Sequence, residues 1–424
     1  MIKRELLLNQ LIRNMWNGEI KVITGIRRSG KSFLLFQLFY QYLLERQVSE
    51  KNIISISLDQ RKYYKFRNPI KLCEYVEDIV LSHKDEKYYL FVDEVQFTNK
   101  VKDKENDNIE VTIYDMLNEL KSYSNLDVYV TGSNSKMLSS DIATEFRGRA
   151  TQIQVFPLSF EEYYSFVGGD ENKAFQNYML YGGMPRVLSL QSEEEKKKYL
   201  RSLYQELYIK DVVERNHLER EDILNEMLNF LSSSISSLTN PNHIAHVISN
   251  EKKETINSSM ISNYIKYCID SFLIYKAERY DIKGRTYFSY PNKYYYIDTG
   301  LRNARLNYRQ YDPGHLMENI IYIELLRRGY SVDIGVVKDR RNQQTLFKEI
   351  DFIVNDNDKK VYIQSALQID DKEKENSEKS SLLLTKDFFK KVMIRLDIAH
   401  NFYDEDGVFH CSLIDFLLHR VDLF

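Results

Sequence analysis

The segment Gly25-Ile-Arg-Arg-Ser-Gly-Lys-Ser32 fits the spacing G-x-x-x-x-G-K-[ST] with no mismatch. Its chemistry follows from the residue types. Gly25 and Gly30 let backbone N–H groups turn inward around phosphate oxygens, with Ser29 between them on the loop, and the helix that follows adds a favourable dipole. Lys31 is placed to reach the β- and γ-phosphates of a nucleoside triphosphate, and the Ser32 hydroxyl to ligate Mg²⁺. Further along, YYLFVDEV at 88–95 ends an apolar run in two acids. Asp93 is placed to hold the Mg²⁺ shell and Glu94 to orient or deprotonate an attacking water. Binding follows from the loop; hydrolysis of ATP rests on Glu94. The bland alternatives are a glycine-containing turn and two solvated acids capping a strand.

Other polar groups are weaker candidates. Thr131-Gly-Ser133-Asn134 closes a fourth strand, at the sheet edge where ligands of open α/β sheets collect. Asn134 or Ser133 is expected to meet the γ-phosphate or water, unless the segment is turn chemistry alone. Arg147 and Arg149, in EFRGRA, are candidates for an arginine finger acting on a neighbouring subunit's site. The competing reading is that they form surface or internal salt bridges. Arg27 and Arg28 occupy variable loop positions and suit solvated or partner-contacting roles.

The elements that must position these residues alternate. Strands are expected at 20–24, 53–58, 88–95 and 126–134, with helices at 32–47, 70–83 and 113–124, which predicts βαβ units and a parallel sheet. From Ser159 to about Leu218 the pattern is helical, broken by Gly-Gly-Met-Pro at 182–185. Helices at 222–236, 241–249 and 258–272 precede a hairpin turning at Lys283-Gly284, the pattern of a winged helix. A helix near 316–330 and strands around KEIDFIV and KVYIQSAL follow. The polar run DDKEKENSEKSS at 370–381 reads as an exposed or flexible loop. The expected divisions are 1–158, a P-loop core; 159–218, a helical lid; 219–312, a winged helix; and 313–424, a C-terminal α/β domain.

Bulk composition narrows the class. A chain of 424 residues is too long for one ordinary core. Lys and Arg total 59 against 62 Asp and Glu, so the net charge of −3 argues against a generally basic nucleic-acid binder while leaving room for a local basic face. Cys73, Cys268 and Cys411 are far apart and form no C-x-x-C pair, which suits a reducing compartment and gives no zinc site. No run approaches the roughly 20 apolar residues of a membrane span, and the apolar start lacks a cleavage signature. A cytoplasmic protein is the expectation.

The blocks GIRRSGKS, DEVQ, VTGSNS, FRGR with FPLSFEEY, and YGGMPRV, in this order, resemble the bacterial and archaeal AAA-family ATPases that carry a DUF4143 C-terminal region. The likeness continues through NYIKYCIDSFLIYKAERYD, KYYYIDTGLRNA and MENIIYIELLRRGY. The resemblance implies an AAA+ core with a helical lid, a winged helix and a restriction-endonuclease-like C-terminal domain, with ATP and Mg²⁺ as cofactors. It also implies that Gly183-Met-Pro185 is the lid's turn and that Arg186 is a nucleotide-sensing candidate. The bland reading of Arg186 is a surface residue.

Nuclease sites of the PD-(D/E)xK kind need two acids for a metal ion and a lysine two residues beyond the second. Here Glu318, Asp351 and Gln364 stand where the acids would, and Ala366 stands where the lysine belongs. The expectation is a silent nuclease fold used for contacts, with Lys348 or Lys360 the routes by which a lysine would return. Lys266, Lys276, Arg279, Lys283, Arg285 and Lys293 cluster around the third winged helix and its hairpin, a possible DNA-binding face; winged helices also serve as protein-contact modules. The leading expectation is an ATP-driven switch or motor acting on DNA or a protein partner. The alternatives are an ATP-dependent nuclease and a slow-turnover nucleotide-gated scaffold. Oligomerisation is open.

Overall fold

The computed structural model describes residues 2–103, 109–132, 150–341 and 344–424, with the side chains of all of these except 206, 207, 340, 341, 344 and 345. Ser133, Asn134, Arg147 and Arg149 lie outside the described residues. The chain forms two compact units, Met1–Phe156 with Asp270–Phe272, and Pro157–Ile269 with Leu273–Phe424.

In the first unit five strands, β1 (Ile20–Thr24), β2 (Ile53–Ser57), β3 (Tyr88–Asp93), β4 (Leu126–Gly132) and β5 (Ala150–Gln154), form a parallel sheet in the order β2-β3-β4-β1-β5. Helix α1 (Glu5–Arg13) precedes β1. Helix α2 follows it over 31–45 and widens to π-helix at Leu34–Phe39. Helices α3 (Pro69–Ser82) and α4 (Ile113–Leu120) follow β2 and β3. β1, β3 and β4 are buried along their whole length, because helices cover both faces of a parallel sheet and leave no strand side for water. One layer of that core is aromatic. Phe39 of α2 lies against Phe91 and Tyr129, with ring centroids at 5.7 and 4.9 Å. Start signals are explicit: Asn68 caps α3, where Pro69 takes the first turn, and Thr112 with Asp115 forms a capping box on α4.

The second unit begins with helices α5 (Phe160–Val167) and α6 (Glu171–Tyr181), then α7 over 193–216. Three helices follow, α8 (Glu221–Ser233), α9 (Pro241–Lys252) and α10 (Ser258–Asp270). The hairpin of β6 (Ile274–Asp281) and β7 (Thr286–Tyr296) then turns at 282–285, where the Asp281 carboxylate accepts from the Lys283 and Gly284 amides. After α11 (Thr299–Arg305) and α12 (Pro313–Arg327) come β8 (Ser331–Arg341), β9 (Gln344–Asp356), β10 (Lys359–Ala366), α13 (Lys372–Leu383), β11 (Lys390–Arg395), β12 (Phe402–Tyr403), β13 (Phe409–Ser412) and α14 (Leu413–Leu417).

These strands build one mixed eight-stranded sheet in the order β12-β13-β11-β10-β9-β8-β6-β7. The hairpin turning at Lys283-Gly284 is its terminal pair, because Arg279–Asp281 of β6 pair in parallel with Ile334–Val336 of β8. The order of three helices then a hairpin is present, but the expected division at 312/313 runs through a continuous sheet.

The loop expected at 370–381 is instead helix α13. Asp371 caps it by accepting from the Lys374 amide at 2.8 Å, Leu382 is fully buried, and Lys379 is tucked against Asp404 at 3.1 Å. Composition missed it because the partners of its inward face, such as Asp404 for Lys379, come from elsewhere in the sequence. No helix among the described residues is long and apolar enough to cross a membrane.

Candidate functional site

The loop between β1 and α2 is a cradle that side chains would spoil. Gly25 has φ 140° and Gly30 φ 101°, in the region that favours glycine. A Cβ on Gly25 would collide with the Val155 carbonyl oxygen. Lys31, only 4% exposed, folds back over the loop and donates to the carbonyls of Gly25 at 2.9 Å and Ile26 at 3.1 Å. Two buried hydroxyls at this place, Thr24 Oγ1 and Ser29 Oγ, have no hydrogen-bond partner among the described residues. A glycine-turned backbone, a lysine held on carbonyls and orphaned hydroxyls fit a polyphosphate ligand that would supply the missing acceptors.

Across from the loop, β3 ends in Asp93, 6% exposed, whose carboxylate accepts from the Ser32 hydroxyl at 3.1 Å and from the Thr131 hydroxyl. The two donors meet on a single oxygen, Oδ1. Burial pushes the Asp93 carboxyl up from its ordinary value, against the pull of the bonds from Thr131 and Ser32, and Glu94 and Asp59 push it further. Such a carboxylate suits a hard cation, with Ser32 beside it as an oxygen ligand. Glu94 sits in the left-handed region at φ 55°, and its amide donates to Thr131 Oγ1 at 3.1 Å. Its carboxylate accepts from the Gln96 amide.

Sequence reasoning thus places Gly25, Ser29, Gly30, Lys31, Ser32, Asp93 and Glu94 on elements that converge. At the end of β4 the Thr131 hydroxyl meets Asp93; Ser133 and Asn134, expected at the γ-phosphate or water, lie outside the described residues. One residue was missed altogether. Arg4, 5% exposed, donates to the Ser29 carbonyl at 2.9 Å and the Phe156 carbonyl at 2.8 Å, tying the loop to the chain just beyond β5. No sequence motif marks it.

In the second unit Gly182 ends α6 at φ 71°, and the buried Asp298 carboxylate accepts from the Gly183 amide at 2.6 Å and the Leu301 amide at 3.0 Å. Burial raises the Asp298 carboxyl to about 6, although these amides pull it down. Arg186, after that turn, is exposed and lies 5.4 Å from the Tyr199 ring centroid.

The C-terminal acids also gather. Asp351 accepts from the Ser365 amide at 2.8 Å and hydroxyl at 2.7 Å, and Gln364 accepts from the Asp351 amide at 3.4 Å. Glu318 accepts from Lys293 at 2.9 Å and Tyr295 at 2.7 Å, and burial raises it to about 7. Lys293 also meets Glu349 at 2.7 Å. Burial alone would lower the Lys293 ammonium, but Glu318, Asp351 and Glu349 outweigh it and hold it up. Lys293 therefore does not belong to an exposed DNA-binding face: it is 4% exposed and neutralises acids. Lys348 bonds Ser380 at 2.8 Å, and Lys360 lies over the Phe389 ring at 5.2 Å, so both are engaged elsewhere.

Residues 17–164 match the family model described as an AAA domain. An uncharacterised protein of Haemophilus influenzae is 32% identical over 99% of both chains. The chain belongs to the AAA family of P-loop ATPases. An uncharacterised protein of Methanocaldococcus jannaschii is 28% identical over 96% of this AAA chain and 87% of its own. Residues 172–312 match DUF8612, a domain of unknown function, and not the DUF4143 label that the resemblance carried. Cdc6p from Pyrobaculum aerophilum covers 64% of the AAA chain and 87% of its own at 12% identity, with a TM-score of 0.31, too loose to bear on the reading.

Proposed function

We propose that this AAA chain binds ATP with Mg²⁺ and hydrolyses it, and that the nucleotide state governs contacts of the winged-helix and C-terminal regions with DNA or a protein partner. The observation that carries the reading is the meeting of Ser32 and Thr131 on one oxygen of buried Asp93, beside a glycine cradle capped by Lys31. In this reading Lys31 leaves the Gly25 and Ile26 carbonyls for phosphate oxygens, and the loop amides with Ser29 line the chain of phosphates. Ser32 and Asp93 hold Mg²⁺, which when bound neutralises charge developing on the phosphates. Glu94 takes the proton of, or orients, the attacking water, and Thr131 fixes Glu94 through its amide. Asn134, just after β4 in the sequence, is assigned to the γ-phosphate or water, Arg147 and Arg149 to a finger role on a neighbouring subunit's site, and Arg186 to the sensing role that the family likeness implies.

One observation favours slow turnover. The Gln96 amide already occupies the Glu94 carboxylate, so Glu94 must be released before it can act as a base. The protein then dwells in its ATP state, as a switch does, and turnover rises when Gln96 is removed.

The test is nucleotide binding and phosphate release by the full chain. Lys31→Ala is expected to lose binding, and Glu94→Gln to keep binding without turnover. Wild-type turnover in both overturns the proposal.

A further inference from the structure

Between β2 and α3 the chain reads Arg61-Lys-Tyr-Tyr-Lys-Phe-Arg67, a 3₁₀-helix. From residue 61 to residue 73 there are cations at 61, 62, 65, 67 and 71 and no acid, in a protein whose net charge is −3. The helix sorts these residues by its threefold period. Residues 63 and 66 share one line, which packs inward: Phe66 is buried and Tyr63 half-buried, their rings 6.3 Å apart. The other two lines face water. Lys62 and Lys65 share one, and Arg61, Tyr64 and Arg67 the other. Arg61, Lys62, Tyr64, Lys65 and Lys71 are all exposed, Tyr64 at 49%. Among the described residues none of Arg61, Lys62, Lys65 and Lys71 forms an ion pair, whereas Lys197 and Lys210 of α7 face Glu193 and Glu214 one turn away. The nearest acids along the chain, Asp59 and Glu74, flank the segment rather than enter it.

We propose that this segment is a docking platform for a single-stranded nucleic acid, with the cations that form no ion pair, Lys62 and Lys65 lying over the Tyr63 and Phe66 rings at 4.6 and 4.7 Å, on its phosphates and Tyr64 under a base. Two features select a nucleic acid over another polyanion. One exposed ring, Tyr64, stands among the exposed cations Arg61, Lys62 and Lys65, which suits a ligand that is at once anionic and aromatic. The platform is also held rigid: the Arg67 guanidinium lies 4.0 Å from the Tyr64 ring centroid and 5.0 Å from that of Phe97, and its Nε donates to the Leu58 carbonyl at 2.9 Å. A ring so braced loses little freedom when a base stacks on it.

The brace leads to the nucleotide loop's partner strand. The Leu58 amide donates to the Asp93 carbonyl at 3.2 Å, the Asn99 amide to the Arg67 carbonyl at 2.8 Å, and the Phe97 amide to the Glu94 carbonyl at 3.0 Å. A strand seated on the platform thus pulls on the turn that carries Glu94 and Gln96. This coupling rests on the ATPase reading; the binding does not.

The test is fluorescence anisotropy of a labelled oligodeoxythymidine with the full chain and no nucleotide. With about four phosphates engaged and a single-strand slope of about −0.7 per contact, affinity should fall about 50-fold between about 50 and about 200 mM salt. Lys62→Ser with Lys65→Ser, both exposed and neither part of the nucleotide loop, should cut that fall to about 7-fold. Tyr64→Ala should weaken binding about tenfold at fixed salt. Both variants should keep wild-type circular dichroism. Isotherms and salt slopes identical to wild type overturn the platform. Displacement of the strand by polyglutamate at equal charge, or duplex binding that is tighter and indifferent to Tyr64, overturns the assignment to a single strand. Stimulation of phosphate release by the oligonucleotide, absent in the double variant, is the separate readout of the coupling.

Discussion

Arg4 offers the sharpest check on how the loop is held. Its guanidinium makes two charge-assisted bonds to carbonyls that are otherwise buried, at Ser29 and Phe156. Arg4→Met keeps the aliphatic stem and deletes both donors. Bonds to charged groups contribute about 1.5–3 kcal/mol each, so about 3–6 kcal/mol of restraint on the loop is lost. Some of that loss appears as lower global stability and the rest as a loop that samples shapes unable to bind phosphate. A share of only about 1.4 kcal/mol felt by the nucleotide complex weakens it about tenfold. Phosphate-release kinetics should therefore show KM for ATP raised about tenfold or more with kcat changed less, and urea unfolding should show an earlier midpoint. Arg4→Lys should fall between the two, because an ammonium serves the two carbonyls less well than a planar fork. If Arg4→Met keeps both the wild-type KM and the wild-type midpoint, the loop holds its shape without this residue and the restraint inferred from the geometry is wrong.

Other outcomes follow from the same contacts. Gly25→Ala, which drives a Cβ into the Val155 carbonyl at a φ that L side chains rarely adopt, should abolish nucleotide binding in an equilibrium assay while leaving a folded protein. Gln96→Ala removes the Gln96 amide from the Glu94 carboxylate and should raise kcat several-fold at unchanged KM in phosphate-release assays. Glu324, 1% exposed, is held down to about 2: burial would raise it, but Arg327, His419 and Arg328 outweigh that. Because its folded value lies below the ordinary 4.5, its contribution of about 3 kcal/mol is present above pH 4.5 and lost as pH falls toward 2. Urea midpoints at neutral and acid pH should therefore converge in Glu324→Gln, which starts lower. Plasmid incubated with the protein, Mg²⁺ or Mn²⁺ and ATP should stay intact, since Lys293 already neutralises the acids near Asp351 and Ala366 carries no amine; cleavage lost in Asp351→Ala would refute this.

Local chemistry made part of the site readable from the chain. Gly25 to Ser32 and the Asp93-Glu94 pair announce themselves, because a tight phosphate turn and an acid at a strand end each need particular residue types within a few positions. The hairpin at Lys283-Gly284 was equally legible, its turn stabilised by Asp281 three residues before Gly284. Arg4 was not: it acts on Ser29 across 25 residues and on Phe156 across 152, and at either distance any long cation would look alike. Within the sequence Thr131 reads as part of a polar turn, and only the pairing of β4 beside β3 reveals that it meets Asp93. Lys293 misled in the other direction. Its neighbours in sequence are tyrosines on a hairpin, while its partners Glu318 and Glu349 arrive from a helix and a strand downstream.

The sharing of one sheet by the β6–β7 hairpin and the strands after residue 330 limits how the molecule can be shortened. A chain ending near residue 312 removes β8, so the Arg279–Asp281 backbone loses the neighbour that Ile334–Val336 supply. It also strands Lys293 without Glu318 and Glu349. Such a fragment would present a raw, hydrogen-bond-hungry rim beside an unneutralised ammonium, the makings of self-association. The second unit has to be inherited, expressed and replaced as a whole.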